Sequence, residues 1–365
     1  MFVEKLKLFQ FRNIRSGEYP FPEQISFIVG RNGQGKSNLI EAISFLSSGR
    51  SFRTAIAREL VSWGADACSV FSTVRRASGI TDIGISIESG RRKAFINGDK
   101  IPSMTDYIGE LVSVTFSPAD LALVQGGPVF RRQFIDKHLV DVNPRIFRSL
   151  MVYARALQHR NALLKQGERN RHMYASLNQI LVEEGMNIMQ EKKKFVESVN
   201  VRAHAFYREL SRNADGPLTM SLQSSVDPES SAENYLSALE KGFDRDLALQ
   251  SSRIGPHRDD VDIVLGDHGA RSFASQGQVR SIVLSMKLAV LDLIEEMRGD
   301  SPVLLLDDIE SELDRDRMEM LLSILFRRER QVIMTGTELG TRELFEDHGY
   351  HVFSIEKGDV TALRN

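Results

Sequence analysis

The sequence of 365 residues predicts an α/β protein whose sheet-based domain is written in two halves, with a helical lobe inserted between them. Three observations predict it. A glycine-rich stretch, "GRNGQGKS" at 30–37, stands between a strand pattern and a helix pattern. A second apolar strand pattern, "PVLLLDD" at 302–308, ends in two acids near the other end of the chain. Between about 118 and 250 strand patterns thin out and apolar residues recur at helical spacing. The expected boundaries are therefore 1–117 with 251–365 for the discontinuous domain, and 118–250 for the lobe.

The elements follow in order. "EKLKLFQF" and "QISFIVG" read as strands, the second running into the glycine loop, and Ser37–Leu46 reads as a helix. "CSVFSTVRR", "DIGISIES" and "RKAFING" alternate in the manner of an antiparallel layer, with Asn97-Gly98 as a tight turn. The lobe has room for four to six helices, with polar breaks at 212–218 and 224–234. After Ser251 come a strand in "DDVDIVLGD", a long helix opening at "SQGQ", the strand "PVLLL", a helix in "RMEMLLSILFRR" and the strand in "RQVIMTGTE". Neither sustained heptads nor a CxxC is present, which argues against a long coiled-coil arm with a metal clasp.

Composition narrows the class. With 42% hydrophobic and 26% charged residues the chain can bury a substantial core. No apolar run approaches the roughly 18 residues that read as a membrane span. The start alternates charged and apolar residues too early for a secretory signal. Cys68 is the single cysteine, so no internal disulfide forms, and a reduced cytoplasmic setting is expected. The net charge of −2 announces no nucleic acid. Its distribution says more: from Arg131 to His172 ten lysines and arginines face three acids, while 300–319 is rich in aspartate and glutamate. Such a division suits one surface for a polyanion and another for a metal nucleotide.

Gly30-x-x-x-x-Gly35-Lys36-Ser37 has the phosphate-loop spacing in the required context, strand before and helix after. Glycines let successive N–H groups turn toward a β-phosphate, and the helix N-terminus adds partial positive charge. The expected nucleotide contacts run through Gly30, Arg31, Asn32, Gly33, Gln34, Gly35, Lys36, Ser37 and Asn38. Lys36 would neutralise phosphate oxygens and the Ser37 hydroxyl would ligate Mg²⁺. Asp307, closing the second apolar strand, would support the metal, and Asp308 would orient an attacking water. Ser275, Gln276, Gly277 and Gln278 open a helix, where hydroxyl, bare amides and dipole suit an anion. The alternative there is a plain N-cap, for which serine is a favoured residue. Two helix termini for one triphosphate are most economically explained by two subunits, each capping the γ-phosphate of the other.

Together these motifs resemble an ABC-type P-loop ATPase head, with "SQGQ" in the place of the signature and "SELD" (311–314) in that of the D-loop. "GRNGQGKSNLIEAI", "GRSFRT", "FSPADLALVQGGPVFRRQFID", "YARALQHRNALLK", "GPHRDDVDI", "SQGQVRS" and "LLLDDIESELD", spread along the whole chain, resemble the RecF family of bacterial recombination mediators. The resemblance implies a cytoplasmic ATPase with ATP and Mg²⁺ as cofactors that dimerises on ATP. It also implies binding of DNA at gaps and duplex–single-strand junctions. With RecO and RecR such proteins help load RecA, supporting gap repair, replication recovery and the SOS response. Arg50 or Arg53 would carry charge to the phosphates, as an arginine loop does in related heads. Arg131, Arg132, Arg148, Arg155, Arg160 and Lys165 are the candidates for DNA phosphates, with Arg160 alternatively holding the lobe together. His257 in "GPHRDD" is either catalytic or part of a structural cluster with Arg258 and Asp259.

Some positions depart from the transporter pattern. Asp308 stands where transporters usually place Glu, one methylene shorter, which suits slow hydrolysis and a switch. Thr337 occupies the position of the usual switch histidine, and no glutamine is assigned to a Q-loop, Gln125 lying far along from "LVSVTF". Three rivals remain: an ATPase subunit of an ABC transporter, which the helical insertion disfavours; a P-loop kinase of small molecules, which leaves "SQGQ" and "SELD" without a purpose; and a structural SMC-like protein that tethers DNA over long distances, which the absence of coiled coils disfavours.

Overall fold

The computed structural model describes residues 1–212, 216–327, 329–336, 350–356 and 358–363. Thr337 lies outside the described residues. The chain divides into two compact units, Met1–Leu121 with Ala205–Ala214 and Ser275–Asn365, and Ala122–His204 with Asp215–Ala274. In chain order the strands are β1 Phe2–Phe11, β2 Ile14–Pro20, β3 Ile25–Val29, β4 Ala67–Arg76, β5 Gly79–Glu88, β6 Arg91–Ile96, β7 Asp99–Ile101, β8 Ser113–Phe116, β9 Leu218–Gln223, β10 Asp260–Leu265, β11 His268–Gly269, β12 Val303–Leu306, β13 Val332–Gly336, β14 Tyr350–Glu356 and β15 Asp359–Leu363.

The first unit contains two six-stranded sheets. One has the order β2-β1-β4-β5-β6-β7 and is antiparallel throughout, the layer that the alternating patterns predicted. Its Asn97-Gly98 turn has φ of 51° and 86° at the two residues, the left-handed pair that matches strand twist in a tight hairpin. The other sheet has the order β15-β14-β3-β13-β12-β8, parallel except for the edge strand β15. Every residue of β3, β12 and β13 is buried, as strands covered on both faces must be. The helix Lys36–Ser48 packs against strands of both sheets. Leu39, Ile40, Ala42, Ile43, Phe45 and Leu46 are all buried, so this helix has almost no solvent face. It also buries Glu41, whose charge must then be met inside the protein.

The second unit holds the helices Pro128–Val142, Ile146–Lys165, Ala232–Lys241 and Phe243–Ala248, and most of His172–Leu210. It also holds a sheet that the sequence did not suggest. β9 lies between the two polar breaks, and β10 pairs with it antiparallel from Asp260↔Gln223 to Leu265↔Leu218, with β11 beyond. The strand in "DDVDIVLGD" therefore joins the helical unit, and the boundary drawn at 250 moves to Ala274. Strand pairing is non-local, so the pattern of β10 could not say which sheet it enters. Among the described residues no helix is long and apolar enough to cross a membrane.

A buried polar cluster organises this unit. Arg160 is fully buried and donates to Asp246 at 2.7 Å, Ser252 at 2.6 Å and Asn178 at 3.0 Å. Arg131 is also buried, forked onto Asp260 at 2.6 and 3.0 Å. Neither faces solvent, so both are withdrawn as DNA contacts; the alternative reading of Arg160 is the one the structure shows. The "GPHRDD" segment belongs to the same interior. The Tyr153 hydroxyl and His257 Nδ1 lie 2.7 Å apart, and His257 Nε2 is 3.0 Å from the Ser252 carbonyl. Gly255 has φ of 126°, and a Cβ there would come 2.2 Å from the Tyr235 hydroxyl, so only glycine fits.

Removing the Arg160 side chain strands a buried aspartate. Arg160→Ala is expected to destabilise the second unit by about 3–5 kcal/mol in chemical denaturation followed by circular dichroism. Burial pushes His257 down to about 4 and Asp259 up to about 6. A depressed imidazole contributes stability above its unfolded pKa and loses it as pH falls from about 6.5 toward 4; the raised carboxyl changes stability in the opposite sense. His257→Gln leaves only the second effect. The parent is therefore expected to lose about 2 kcal/mol more than the variant between pH 7 and 5, measured as paired urea melts.

Candidate nucleotide site

The loop after β3 is shaped by its glycines. Gly33 and Gly35 take φ of 81° and 115°, and the helix begins at Lys36 with Gly35 as its cap. Its first amides have no acceptor within the helix and point off its N-terminus, the usual anion-binding arrangement. Arg31, Asn32 and Gly33 are exposed at the tip, and Gln34 is half-buried. Lys36 is buried and donates to the carbonyls of Gly30 at 2.5 Å and Arg31 at 3.2 Å. Burial lowers its pKa against the pull of Asp308, Asp307 and Glu310. Those three acids are thus close enough to be felt by the lysine from which most of the sequence separates them.

β13 lies between β3 and β12 and brings the two ends of the chain together. Asp307 follows β12 and is buried, which raises its pKa. The Ser37 and Thr335 hydroxyls, as hydrogen-bond partners, and the charge of Arg53 pull in the other direction. Thr335 Oγ1 donates to Asp307 Oδ1 at 2.8 Å and accepts from the Asp308 amide at 2.9 Å. Asp308 adopts φ 53°, ψ 40°, an uncommon left-handed conformation for a non-glycine residue. The Ser311 hydroxyl donates to its Oδ2 at 2.8 Å. Ser37 and Asp307 are hard oxygen donors side by side, a set that fits Mg²⁺. Thr335 escaped the sequence reading, which gave the aspartates no side-chain partner from β13.

Ser275 caps the helix Gln276–Arg298 in a reciprocal box: the Gln278 amide donates to Ser275 Oγ at 3.3 Å, and the Ser275 amide to Gln278 Oε1 at 2.8 Å. Ser275 and Gln276 remain exposed. The helix start is tied to the "SELD" segment through Arg280 and Glu312 at 2.9 Å. A Cβ on Gly277 would come within 2.8 Å of the Arg317 guanidinium, itself held by Asp314 at 2.7 Å. Of the remaining basic candidates, Arg148, Arg155 and Lys165 are exposed on one helix, with Arg148 and Arg155 two turns apart on the same face. Arg132 is half-buried and donates to the Asp259 carbonyl at 2.9 Å. Gln125 ends a short helix of the second unit and is exposed.

A parallel sheet, a phosphate loop and an aspartate-tipped strand one strand away, beside an antiparallel layer, define a P-loop ATPase head of the ABC and SMC class. The family model for the RecF/RecN/SMC N terminal domain matches residues 2–361. The Smc head domain with an extended coiled coil, bound to the C-terminal domain of ScpA and derived from Pyrococcus furiosus, shares the fold at a TM-score of 0.58 and 17% identity, over 99% of this chain and 96% of that one. Much nearer are the DNA replication and repair proteins RecF of Streptococcus pyogenes serotype M5 (strain Manfredo), 35% identical over 99% of this chain and 98% of the relative, and of Clostridium novyi (strain NT), 34% identical over 99% of each. The solved recombination mediator protein RecF-ATP of the RecFOR pathway superposes with a TM-score of 0.90 at 32% identity, covering 99% of this chain and 97% of that one. The chain belongs to the RecF family of DNA replication and repair proteins.

Thr335→Val keeps the shape and deletes one hydroxyl that serves both aspartates. Loss of its two hydrogen bonds is expected to cost about 1–3 kcal/mol of stability in thermal melts. Affinity for Mg²⁺-nucleotide should fall about tenfold in titrations with a fluorescent nucleotide, since partners of metal-binding carboxylates typically tune affinity by that order.

Proposed function

We propose that this chain is an ATP-gated DNA-binding switch. Mg-ATP joins two copies head to tail, and the closed dimer grips DNA at gaps and duplex–single-strand junctions. With RecO and RecR it assists RecA loading, in support of gap repair, replication recovery and the SOS response in the cytoplasm. The observation that carries the reading is the strand order that sets the phosphate loop, after β3, and Asp307, after β12, at the same end of one parallel sheet with β13 between them. The RecFOR context comes from the solved relatives and from family membership.

The chain's own residues divide the work. The loop from Gly30 to Asn38 holds the phosphates with backbone amides, and Lys36 supplies the neutralising charge. Ser37 and Asp307 would hold Mg²⁺, which when bound would offset phosphate charge. Asp308, clamped by Ser311 and by the hydrogen bond that its own amide donates to Thr335, orients the attacking water. Its short side chain suits slow turnover, appropriate to a timer that opens the dimer. Ser275 through Gln278 present an exposed helix N-terminus to the γ-phosphate of the second subunit. The capping box does not compete with that role, because it occupies the Ser275 Oγ lone pair and leaves its proton free to donate. Arg148, Arg155 and Lys165 offer salt-sensitive, sequence-independent contacts to DNA phosphates.

Binding of a fluorescent gapped duplex, with and without Mg-ATP, tests the switch. Wild type should bind about tenfold or more tightly with nucleotide, a coupling of the size typical for linked sites. Ser275→Arg should bind nucleotide normally yet gain nothing on DNA, and Lys36→Ala should lose both. DNA affinity indifferent to nucleotide and to Ser275→Arg would sink the two-subunit mechanism.

A further inference from the structure

Glu41 is the one acid of the phosphate-loop helix, and the site as described gives it no task. It is fully buried in the first unit. Arg12 forks onto it, Nε to Oε2 at 2.9 Å and Nη2 to Oε1 at 2.6 Å. Arg53 reaches the same Oε2 at 3.4 Å, and Ser51 donates its hydroxyl to Oε1. One carboxylate therefore faces two guanidinium groups, and the better geometry belongs to Arg12. The Arg53 side chain is 44% exposed. Its Nη1 donates to Asn38 Oδ1 at 2.8 Å, one residue beyond the metal serine, while its Nε and Nη2 make no hydrogen bond to the described residues. Its charge is felt at Asp307.

The surrounding backbone is arranged to keep this cluster in place. The 50–60 segment folds onto its own side chains: Ser51 Oγ accepts from the amides of Arg53 and Thr54, and the Thr54 hydroxyl donates to Glu59. Arg12 adds a bond to the Glu59 carbonyl at 2.8 Å. Gln10 and Arg12 both adopt left-handed φ, 50° and 55°, where the chain turns off β1 to aim Arg12 at Glu41. Strain of this kind in non-glycine residues persists where neighbouring contacts over-determine it. On the other side Asn13 bonds Asn38 at 2.7 Å and the Gly33 carbonyl at 3.3 Å, so the same turn braces the phosphate loop itself.

We propose that Glu41 is a positioning residue that holds Arg53, through Ser51 and with Arg12 as its counter-ion, beside the phosphate loop as a donor to nucleotide phosphate in the same subunit. The two unbonded nitrogens of Arg53 are the donors. Glu41 never touches the ligand; it sets where the 50–54 segment sits and thereby selects Arg53 over Arg50. The inference rests on the nucleotide reading of the loop.

A double-mutant cycle on nucleotide binding separates the two, with a fluorescent ATP analogue and Mg²⁺ titrated into wild type, Glu41→Gln, Arg53→Ala and the double variant. Lys36→Ala serves as the control for the loop. Arg53→Ala should weaken binding about tenfold, the scale of one charge-assisted hydrogen-bonding group. In the Glu41→Gln background the same change should cost less than about twofold, because the guanidinium is no longer held in place. Arg50→Ala should be silent. Additive effects, or an Arg53→Ala with wild-type affinity, overturn the positioning role while Lys36→Ala still loses binding. Should Lys36→Ala bind as wild type does, the nucleotide reading itself falls. If circular dichroism shows Glu41→Gln to be unfolded, Ser51→Ala, which loosens the segment but leaves the buried ion pair intact, replaces it in the cycle with the same expected non-additivity.

Discussion

The register of three parallel strands is the constraint on which the site depends. β13 pairs with β3 so that Thr335 stands opposite Ile28, and with β12 so that Met334 stands opposite Leu306. Thr335 then falls beside Asp307, the residue just past β12, and its hydroxyl reaches both aspartates. A slip of one residue in either pairing would turn Thr335 to the other face and separate them. Because all three strands are buried on both sides, such a slip would also force every packed side chain of the strand into the opposite layer, and the register is held by the core. The phosphate loop follows β3 and Asp307 follows β12, so both lie at the carboxyl ends of the strands, where parallel sheets place their ligands.

Buried charge is used differently in the two units. In the second, Arg131 pairs with Asp260 and gives its third nitrogen to the Leu123 and Gly126 carbonyls, while Arg160 pairs with Asp246 and reaches Ser252 and Asn178 but leaves Nη2 without a partner among the described residues. Pairs of this type offset their own desolvation and hold elements in register without adding much net stability. In the first unit the cluster on Glu41 sets two guanidinium groups on one carboxylate, and Lys36 lies near three acids.

The segment around the Ser275 helix shows how one set of residues serves both structure and chemistry. The capping box satisfies the helix end and would be present in any stable helix of this sequence. The pairs Arg280–Glu312 and Arg317–Asp314 then tie that helix end to "SELD", with the Arg317 guanidinium filling the space that Gly277 leaves without a side chain. Two segments that the proposed dimer would present to its partner are joined as one rigid piece before any partner arrives.

Local chemistry carries most of what the sequence determined by itself. The phosphate loop needs glycines, a lysine and a serine at fixed spacing between a strand and a helix, and no distant contact changes that. The antiparallel layer and its Asn97-Gly98 turn were legible for the same reason, since alternation and positive φ are properties of short stretches. The tertiary structure decided what pairs with what: β10 with β9 rather than with the large sheets, and Thr335 with both aspartates. It also decided which arginines point inward. A run of positive charge along a helix reads alike whether its members meet solvent or a buried carboxylate, and only the arrival of Asp246 and Asp260 from distant sequence put Arg160 and Arg131 inside.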